Sequence, residues 1–331
     1  MSFDYFTLGN KLMECRCNLK LSIEEVANHI GVNPDQYLGY EEGRLHPTGD
    51  TIILLAKLFV QDFRYLVTND YRSADKQINA LFRQNENLSK YDRLGIQKFV
   101  RLCEYKSFFE ELLGKTKSQV PDYTQINLKI DNPVLQGKRT AYLERKRLRI
   151  EGPVSNIYSI LRSQNINLFR REMEDGNISG VYVNYPNVGH CILVNYQEDI
   201  YRQNFSAAHE YAHALFDSAS DQSITYLKDK GADIRERRAN SFARHFLVPD
   251  HELKKITKPN NYNSLIDLIL RLCHHFKVSR YVIIYRLQDI GWYKEEASRK
   301  LLKEIKLIIP KNDKEDPELI GLSTGFKDKL D

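Results

Sequence analysis

The stretch FSAAHEYAHALFD, residues 205–217, decides how this chain can be interpreted. It places His209 and His213 four residues apart, with Glu210 directly after the first histidine. Residues i and i+4 share one face of an α-helix, so both imidazoles can bind the same metal ion. Glu210 lies about 100° around such a helix, where its carboxylate can reach a water molecule without binding the metal. The spacing predicts a helix that carries a zinc site and a general base.

A third protein ligand is expected further along the chain, because catalytic zinc usually has three protein ligands and one open position. The downstream carboxylates are Asp217, Asp221, Asp233 and Glu236. Glu236 is the best placed, since RERRANSFARHFLVP (235–249) has a helical pattern that puts it on one face with Asn240 and two alanines. The alanines allow close packing on the first helix, and Asn240 can fix the tautomer of a ligand histidine. The predicted metal ligands are therefore His209, His213 and Glu236.

Short β-rich runs precede the metal-site helix and indicate a small sheet. They are NINLFRREM (165–173), NISGVYVNY (177–185) and HCILVNY (190–196). A small sheet followed by helices is typical of an α+β domain. The HCILVN strand comes just before the metal-site helix. It is either an interior strand or an edge that can pair with an extended peptide.

The first 70 residues have helical patterns and helix-capping signals instead. Ser22 and Glu25 form the capping-box pattern at the start of a helix, and Gly31 favours its end. Asn33 then suits the N-cap of a second helix, with Pro34 at its first position. Two short helices joined by a glycine-containing turn predict a helix-turn-helix.

The charge of this N-terminal region is unusual for a DNA-binding domain. Residues 1–69 contain six Lys or Arg and nine Asp or Glu, whereas the whole chain has a net charge of +5. Phosphate neutralisation supplies most non-specific DNA affinity, so dimerisation or the basic segment 137–152 would have to add positive charge. Docking of a protein partner is the alternative role. The residues predicted to contact duplex DNA are Asn33, Gln36, Tyr37, Tyr40 and Arg44.

Two families share these motifs. FSAAHEYAHALF followed by ERRANSFARHFLVP resembles the ImmA/IrrE metallopeptidases, and the resemblance runs from about residue 141 to residue 292. Leu8-Gly9, Ile30-Gly31-Val32 and Glu41-x-Gly43 resemble the XRE/Cro repressor domains, which are known to occur fused to such peptidases. The resemblance implies zinc bound by His209, His213 and Glu236, with Glu210 as the base. Another divalent metal such as Mn²⁺ is an alternative occupant of this ligand set. Ser206 and His245 are mild departures from the family pattern.

The predicted fold class is α+β. An all-α helix-turn-helix domain and a helical connector precede a zincin-like metallopeptidase domain with a small sheet and the HExxH helix. No run is long and apolar enough for a membrane span, and the start of the chain has no signal-peptide pattern, so we expect a cytoplasmic protein. The expected regions are helix-turn-helix domain 1–69, connector and linker 70–132, peptidase core 133–250, helix-turn-helix-like extension 251–309 and polar tail 310–331.

Three functions fit these motifs. The first is a zinc metallopeptidase that regulates transcription, which the family resemblance extends to cleavage of a partner XRE-type repressor in stress, mobile-element or phage-related responses. The second is a DNA-binding regulator whose peptidase-like domain acts mainly as a sensor or interaction module. In either case the protein can act as a homodimer. The third is a zinc-stabilised interaction module without catalysis, which leaves Glu210 without a role. We favour the first hypothesis.

Overall fold

A computed structural model describes most of the chain, namely residues 4–69, 73–115, 119–124, 130–173, 178–185, 187–216, 222–226, 233–259 and 261–306. The predicted polar tail (310–331) and two of the candidate carboxylates, Asp217 and Asp221, lie outside these residues. The chain divides into two units. The N-terminal unit comprises residues 1–116 with 172–175 and 185–191, and the C-terminal unit comprises the rest.

The N-terminal unit begins with helices that the capping residues define. The Ser22 hydroxyl accepts the backbone N–H of Glu25, and the Glu25 carboxylate accepts that of Ser22. Gly31 ends this helix at φ 73°, and Asn33 caps the next, so both predicted boundaries are confirmed. The helices of this unit are α1 Tyr5–Asn18, α2 Ile23–Ile30, α3 Pro34–Glu41, α4 Gly49–Leu58, α5 Phe63–Val67, α6 Ser73–Gln84 and α7 Lys90–Leu112.

The C-terminal unit combines a small sheet with helices, as expected of an α+β domain. Its helices are α8 Pro133–Arg147, α9 Ile157–Ser163, α10 Ile200–Phe216, α11 Ile234–Leu247, α12 Asp250–Leu253, α13 Tyr262–Phe276, α14 Arg280–Asp289 and α15 Glu295–Lys306. The sheet strands are β1 Asn167–Arg171, β2 Ile178–Tyr185, β3 Gly189–Asn195 and β4 Gln222–Tyr226. The end of β2 and the first residues of β3 group with the N-terminal unit.

The strand order decides between the two alternatives for the HCILVN segment. The order is β1-β3-β2-β4, and β2 pairs with β4 in antiparallel orientation. The HCILVN segment forms most of β3, which is hydrogen-bonded on both sides. The hypothesis that this strand offers a free edge to a peptide is therefore wrong. Its burial pattern gives the reason, because five consecutive residues from Cys191 to Asn195 are buried, as in an interior strand.

Close helix packing holds the centre of the C-terminal unit together. α8 crosses α11 at Gly137, where a Cβ atom would lie only 2.4 Å from the carbonyl oxygen of Arg238. On α11, Ala239 and Ala243 are buried in the same apolar core as much of α10. Small residues at these crossings let the backbones approach, so α11 is held close to α10. Within the described residues, no helix combines the length and the apolar character that a membrane crossing requires.

Candidate metal centre

Two helices of the C-terminal unit supply the residues that the sequence singled out. α10 carries His209, Glu210 and His213, all of which are buried. α11 begins after Asp233, whose side chain accepts the N–H of Arg235, and Glu236 lies in its first turn. This cap fixes where α11 starts and therefore which turn presents Glu236. The structure thus brings together two histidines from one helix and a carboxylate from the next.

The three side chains form a compact triangle of donor atoms. Nε2 of His209 and Nε2 of His213 lie 3.2 Å apart. Oε2 of Glu236 lies 3.1 Å from Nε2 of His209, and Oε1 of Glu236 lies 3.2 Å from Nε2 of His213. Zinc bonds of ~2.0–2.1 Å in tetrahedral geometry place neighbouring ligand atoms about 3.3 Å apart. The donor set and its spacing therefore fit one face of a tetrahedral metal site.

The charge of Glu236 suits a metal ligand. Burial raises the pKa of this carboxyl, but hydrogen bonds and charge interactions with His209 and His213 lower it by more. The resulting pKa lies below the ordinary range of a glutamate. Glu236 is therefore an anion in this site, as a carboxylate that binds a cation must be.

Strand β2 packs against Glu210, a contact that the sequence analysis did not predict. A Cβ atom at Gly180 would lie 2.4 Å from Oε1 of Glu210, so any larger residue would require the carboxylate to move. Two residues further along the same face, the Tyr182 ring stacks near His213 with centroids 6.3 Å apart. A glycine inside a predicted strand is the one signal that could have indicated this close approach.

Two protein families match different parts of the chain. The family model described as the IrrE N-terminal-like domain, which is a peptidase family, matches residues 161–288, and these include all three residues of the donor triangle. A helix-turn-helix model matches residues 12–66. The chain belongs to the ImmA/IrrE family. It has the family arrangement with an N-terminal XRE-type helix-turn-helix domain, so the resemblance seen in the sequence is confirmed.

One relative of this ImmA/IrrE protein is a repressor. The chain is similar to the cryptic phage CTXphi transcriptional repressor RstR of Vibrio cholerae, with 32% identity over 111 residues. The match covers 34% of this chain and 92% of the repressor. Together with the two domains, this similarity makes the protein a regulator with a helix-turn-helix domain and a metallopeptidase-like domain.

Asn240 lies one turn after Glu236 and contacts a predicted ligand. Its Oδ1 lies 3.2 Å from Nδ1 of His209. An Nδ1–H that donates to this oxygen leaves Nε2 of His209 with its lone pair directed at the other donor atoms. The residue is therefore placed to hold the histidine in the tautomer that binds metal.

We expect Asn240→Ala to weaken zinc binding by about 10–100-fold, the usual cost of losing a hydrogen-bond partner of a ligand histidine. A competition titration against a zinc chelator measures this affinity. Asn240→Asp is the matched control, since it keeps an acceptor oxygen and should bind within a few-fold of the wild type. Equal zinc affinity in the alanine variant and the wild type would show that this contact does not orient the ligand.

Two further sets of buried polar residues connect helices of the ImmA/IrrE domain. The Tyr211 hydroxyl donates to Glu144, which also accepts from Tyr123 at 2.8 Å and from Arg147 at 2.9 Å. Burial raises the pKa of the Tyr211 hydroxyl well above its usual value, and the negative charge of Glu144 raises it further. His245 accepts from Arg286 at 3.1 Å. These hydrogen bonds join neighbouring helices of the domain.

The structure of the helix-turn-helix domain contradicts two of the five predicted DNA contacts. Tyr37 is fully buried and Tyr40 is 5% exposed, so the prediction that they contact DNA is wrong for this structure. Both belong to the apolar core of the domain, because the helical period turns them inward from α3. Gln36 is half-buried and donates to the Tyr40 hydroxyl, whereas Asn33 and Arg44 are exposed.

One carboxylate of the acidic helix is removed from the domain surface. Glu41 is buried and accepts two hydrogen bonds from the Arg16 guanidinium, at 2.7 Å and 2.9 Å. This bidentate pair joins α1 to α3 and neutralises a charge that would otherwise repel phosphate. Asp35 and Glu42 remain exposed, and Glu42 forms an ion pair with Arg44.

Proposed function

We propose that this protein is a zinc-dependent metallopeptidase that regulates transcription by cleaving a partner XRE-type repressor. The observation that carries the proposal is the donor triangle of His209, His213 and Glu236, with Glu210 directly after His209 on the same helix. A structural zinc site needs four protein ligands and no base, whereas this cluster offers three ligands among the residues that the structure describes, and Glu210 adjoins one of them in the sequence. That combination is suited to hydrolysis.

The residues divide the reaction between them. A zinc ion held by the three ligands would act as a Lewis acid, which lowers the pKa of a water molecule toward 7 and polarises a peptide carbonyl. Glu210 takes a proton from that water on its carboxylate and delivers it to the nitrogen of the leaving amine. The burial of Glu210 and the close backbone at Gly180 hold this carboxylate in one position. Asn240 orients His209.

The proposed substrate follows from the companion domain. Helix-turn-helix repressors bind DNA half-sites as dimers, and this chain is similar over 111 residues to RstR, which is named as a phage repressor. A domain of this kind can therefore bring the peptidase to a repressor, either by pairing with it or by binding nearby DNA. The test is incubation of the purified protein with repressors encoded beside its gene. Zinc-dependent appearance of two fragments supports the proposal.

We expect Gly180→Ala to lower kcat for this cleavage by about 100-fold while the bound zinc stays unchanged. The added methyl group would lie 2.4 Å from the Glu210 oxygen, so the carboxylate must shift, and misplacements of about 1 Å cost about that much. Cleavage kinetics and metal analysis measure the two effects. Gly95→Ala is the control, since its methyl group would have only an ordinary contact at 3.9 Å. Equal kcat in both variants would mean that β2 does not position the base.

The similarity to RstR favours a second candidate function. The protein would then be a DNA-binding regulator whose metallopeptidase-like domain senses a signal or binds a partner. A mobility-shift assay on the DNA upstream of its own gene, at physiological salt, distinguishes the two candidates. A specific shift with no cleavage of neighbouring repressors favours this second function. Cleavage without a specific shift excludes it.

A further inference from the structure

A groove on the C-terminal unit lies apart from the metal centre. It has a volume of about 1180 Å³ and runs between α8 and the segment around α12. His245 in the last turn of α11 lines it, whereas Glu236 occupies the first turn of the same helix. Nine residues of helix separate them, which corresponds to about 14 Å along the axis. The groove is therefore a separate feature of this domain.

Positive charge dominates the rim of the groove. Among the described residues, Arg139, Lys146 and Lys254 form no ion pair, and all three are exposed. Acidic residues in the groove are largely neutralised, since Asp250 pairs with Lys138 at 2.7 Å and Glu252 with Lys255 at 2.7 Å. Three uncompensated cations remain available to an anionic ligand.

Apolar side chains alternate with these cations along α8. Leu135 and Tyr142 line the groove and are 53% and 68% exposed, which is unusual for large apolar groups. Leu135, Arg139, Tyr142 and Lys146 follow helical spacing and share one face of α8. This face presents apolar and cationic groups in turn, so it suits a ligand that has both apolar and anionic groups.

Buried arginines make the groove walls rigid. Arg145 donates to the carbonyl of Phe246 at 2.6 Å and to that of Glu151 at 3.3 Å, so it ties α8 to the end of α11. Arg286 is fully buried and bonds to the carbonyl of Val248 at 2.9 Å and to the Asp250 carboxylate. The groove is therefore preformed, which lowers the entropy that a ligand loses on binding.

We propose that the groove between α8 and α12 docks an acidic, partly apolar segment of the protein substrate, remote from the bond that is cut. This proposal rests on the proposed peptidase function, because it names how the substrate is held. The volume exceeds the roughly 300–1,000 Å³ of small-molecule sites and suits a peptide segment. The unpaired cations select acidic side chains, and Leu135 and Tyr142 bind apolar ones.

Nucleic acid fits the groove less well. A surface that follows a phosphate backbone is cationic along its length. Here Leu135 and Tyr142 interrupt the row of cations, and two of the lysines, Lys138 and Lys255, are already paired with Asp250 and Glu252. A peptide can place isolated acidic side chains at the cations and apolar ones between them. The mixed lining therefore favours protein.

The experiment measures binding to the full-length protein with Glu210→Gln, which cannot cut the ligand. The probes are a fluorescein-labelled peptide of glutamate and leucine, a lysine–leucine peptide of equal length and a single-stranded oligothymidine. We compare Arg139→Glu/Lys146→Glu with Lys294→Glu/Lys303→Glu, which makes the same charge change at exposed positions outside the groove. We expect the groove pair to weaken binding of the acidic peptide at least tenfold and the control pair to change it less than twofold.

Two results would overturn the proposal. One is an equal loss with both charge-reversed pairs, which would indicate general electrostatic attraction. The other is loss of oligothymidine binding with unchanged peptide binding, which would make the groove a nucleic-acid site. Zinc content and kcat on a short peptide that spans the cut site should be unaffected by the groove pair. Groove-dependent binding in a protein that cleaves no repressor would contradict the peptidase function and leave the docking site intact.

Discussion

Glu210→Gln should retain a full equivalent of zinc and lose about 10²–10⁴-fold in kcat for repressor cleavage. Glutamine has nearly the same shape as glutamate, so the packing against Gly180 is preserved. Its amide cannot accept the proton from water, which is the step that we assign to this residue. Glu210 is fully buried and lies outside the donor triangle, so zinc binding should not change. The measurements are a cleavage time course and metal analysis of the same preparation.

Glu296→Gln is the matched control for this prediction. Glu296 is an exposed residue in the first turn of α15, and its replacement makes the same change of charge far from the proposed chemistry. We expect its cleavage rate to equal that of the wild type. Undiminished cleavage by Glu210→Gln would remove Glu210 from the role of base, and loss of zinc would mean that the residue is needed for the site to form.

Glu236→Ala should lose most of the bound zinc. The variant keeps two histidine ligands but no anionic ligand. We expect the loss of a ligand to weaken zinc binding by more than the roughly 10–100-fold that the loss of a ligand's hydrogen-bond partner costs. The site residues are buried, so metal binding also stabilises the fold. A ligand at about 100 times its Kd adds about 2.7 kcal/mol to the free energy of unfolding. The wild type should therefore melt at a lower temperature in a chelator, and Glu236→Ala should show no such difference.

Thermal unfolding with and without zinc tests this second prediction, together with metal analysis. Glu296→Ala serves as the control, since removing an exposed carboxylate should leave both zinc content and the effect of chelator unchanged. A full zinc equivalent in Glu236→Ala would show that the third ligand is another residue. An unchanged melting temperature of the wild type in chelator would show that metal binding does not contribute to stability.

Local patterns predicted the elements of the site well. The spacing of His209 and His213 specifies a shared helix face, and the face of α11 that carries Glu236 and Asn240 follows from helical period alone. The ends of α2 are equally local, because Ser22 and Gly31 satisfy the terminal backbone groups of that helix. Such features depend on residues within a few positions of each other, so the sequence contains them directly.

Features that depend on packing were harder to predict. The position of β3 inside the sheet depends on β1 and β2 on either side of it, which no local pattern specifies. The hydroxyl groups of Tyr37 and Tyr40 could contact DNA in an exposed position, but both rings are buried in the apolar core of the domain. The approach of Gly180 to Glu210 joins residues 30 positions apart, so a glycine within a strand could indicate a close contact there but not its partner.

Cleavage of a neighbouring repressor, followed by mass spectrometry while zinc is removed and restored, tests the peptidase function most directly. We expect fragments from a single cut when the protein carries zinc, none after a chelator removes the metal, and recovery when one equivalent of zinc is added. The same recovery should fail with Glu210→Gln. An intact repressor with the fully zinc-loaded wild type, or cleavage that continues in the chelator, would contradict a zinc-dependent peptidase.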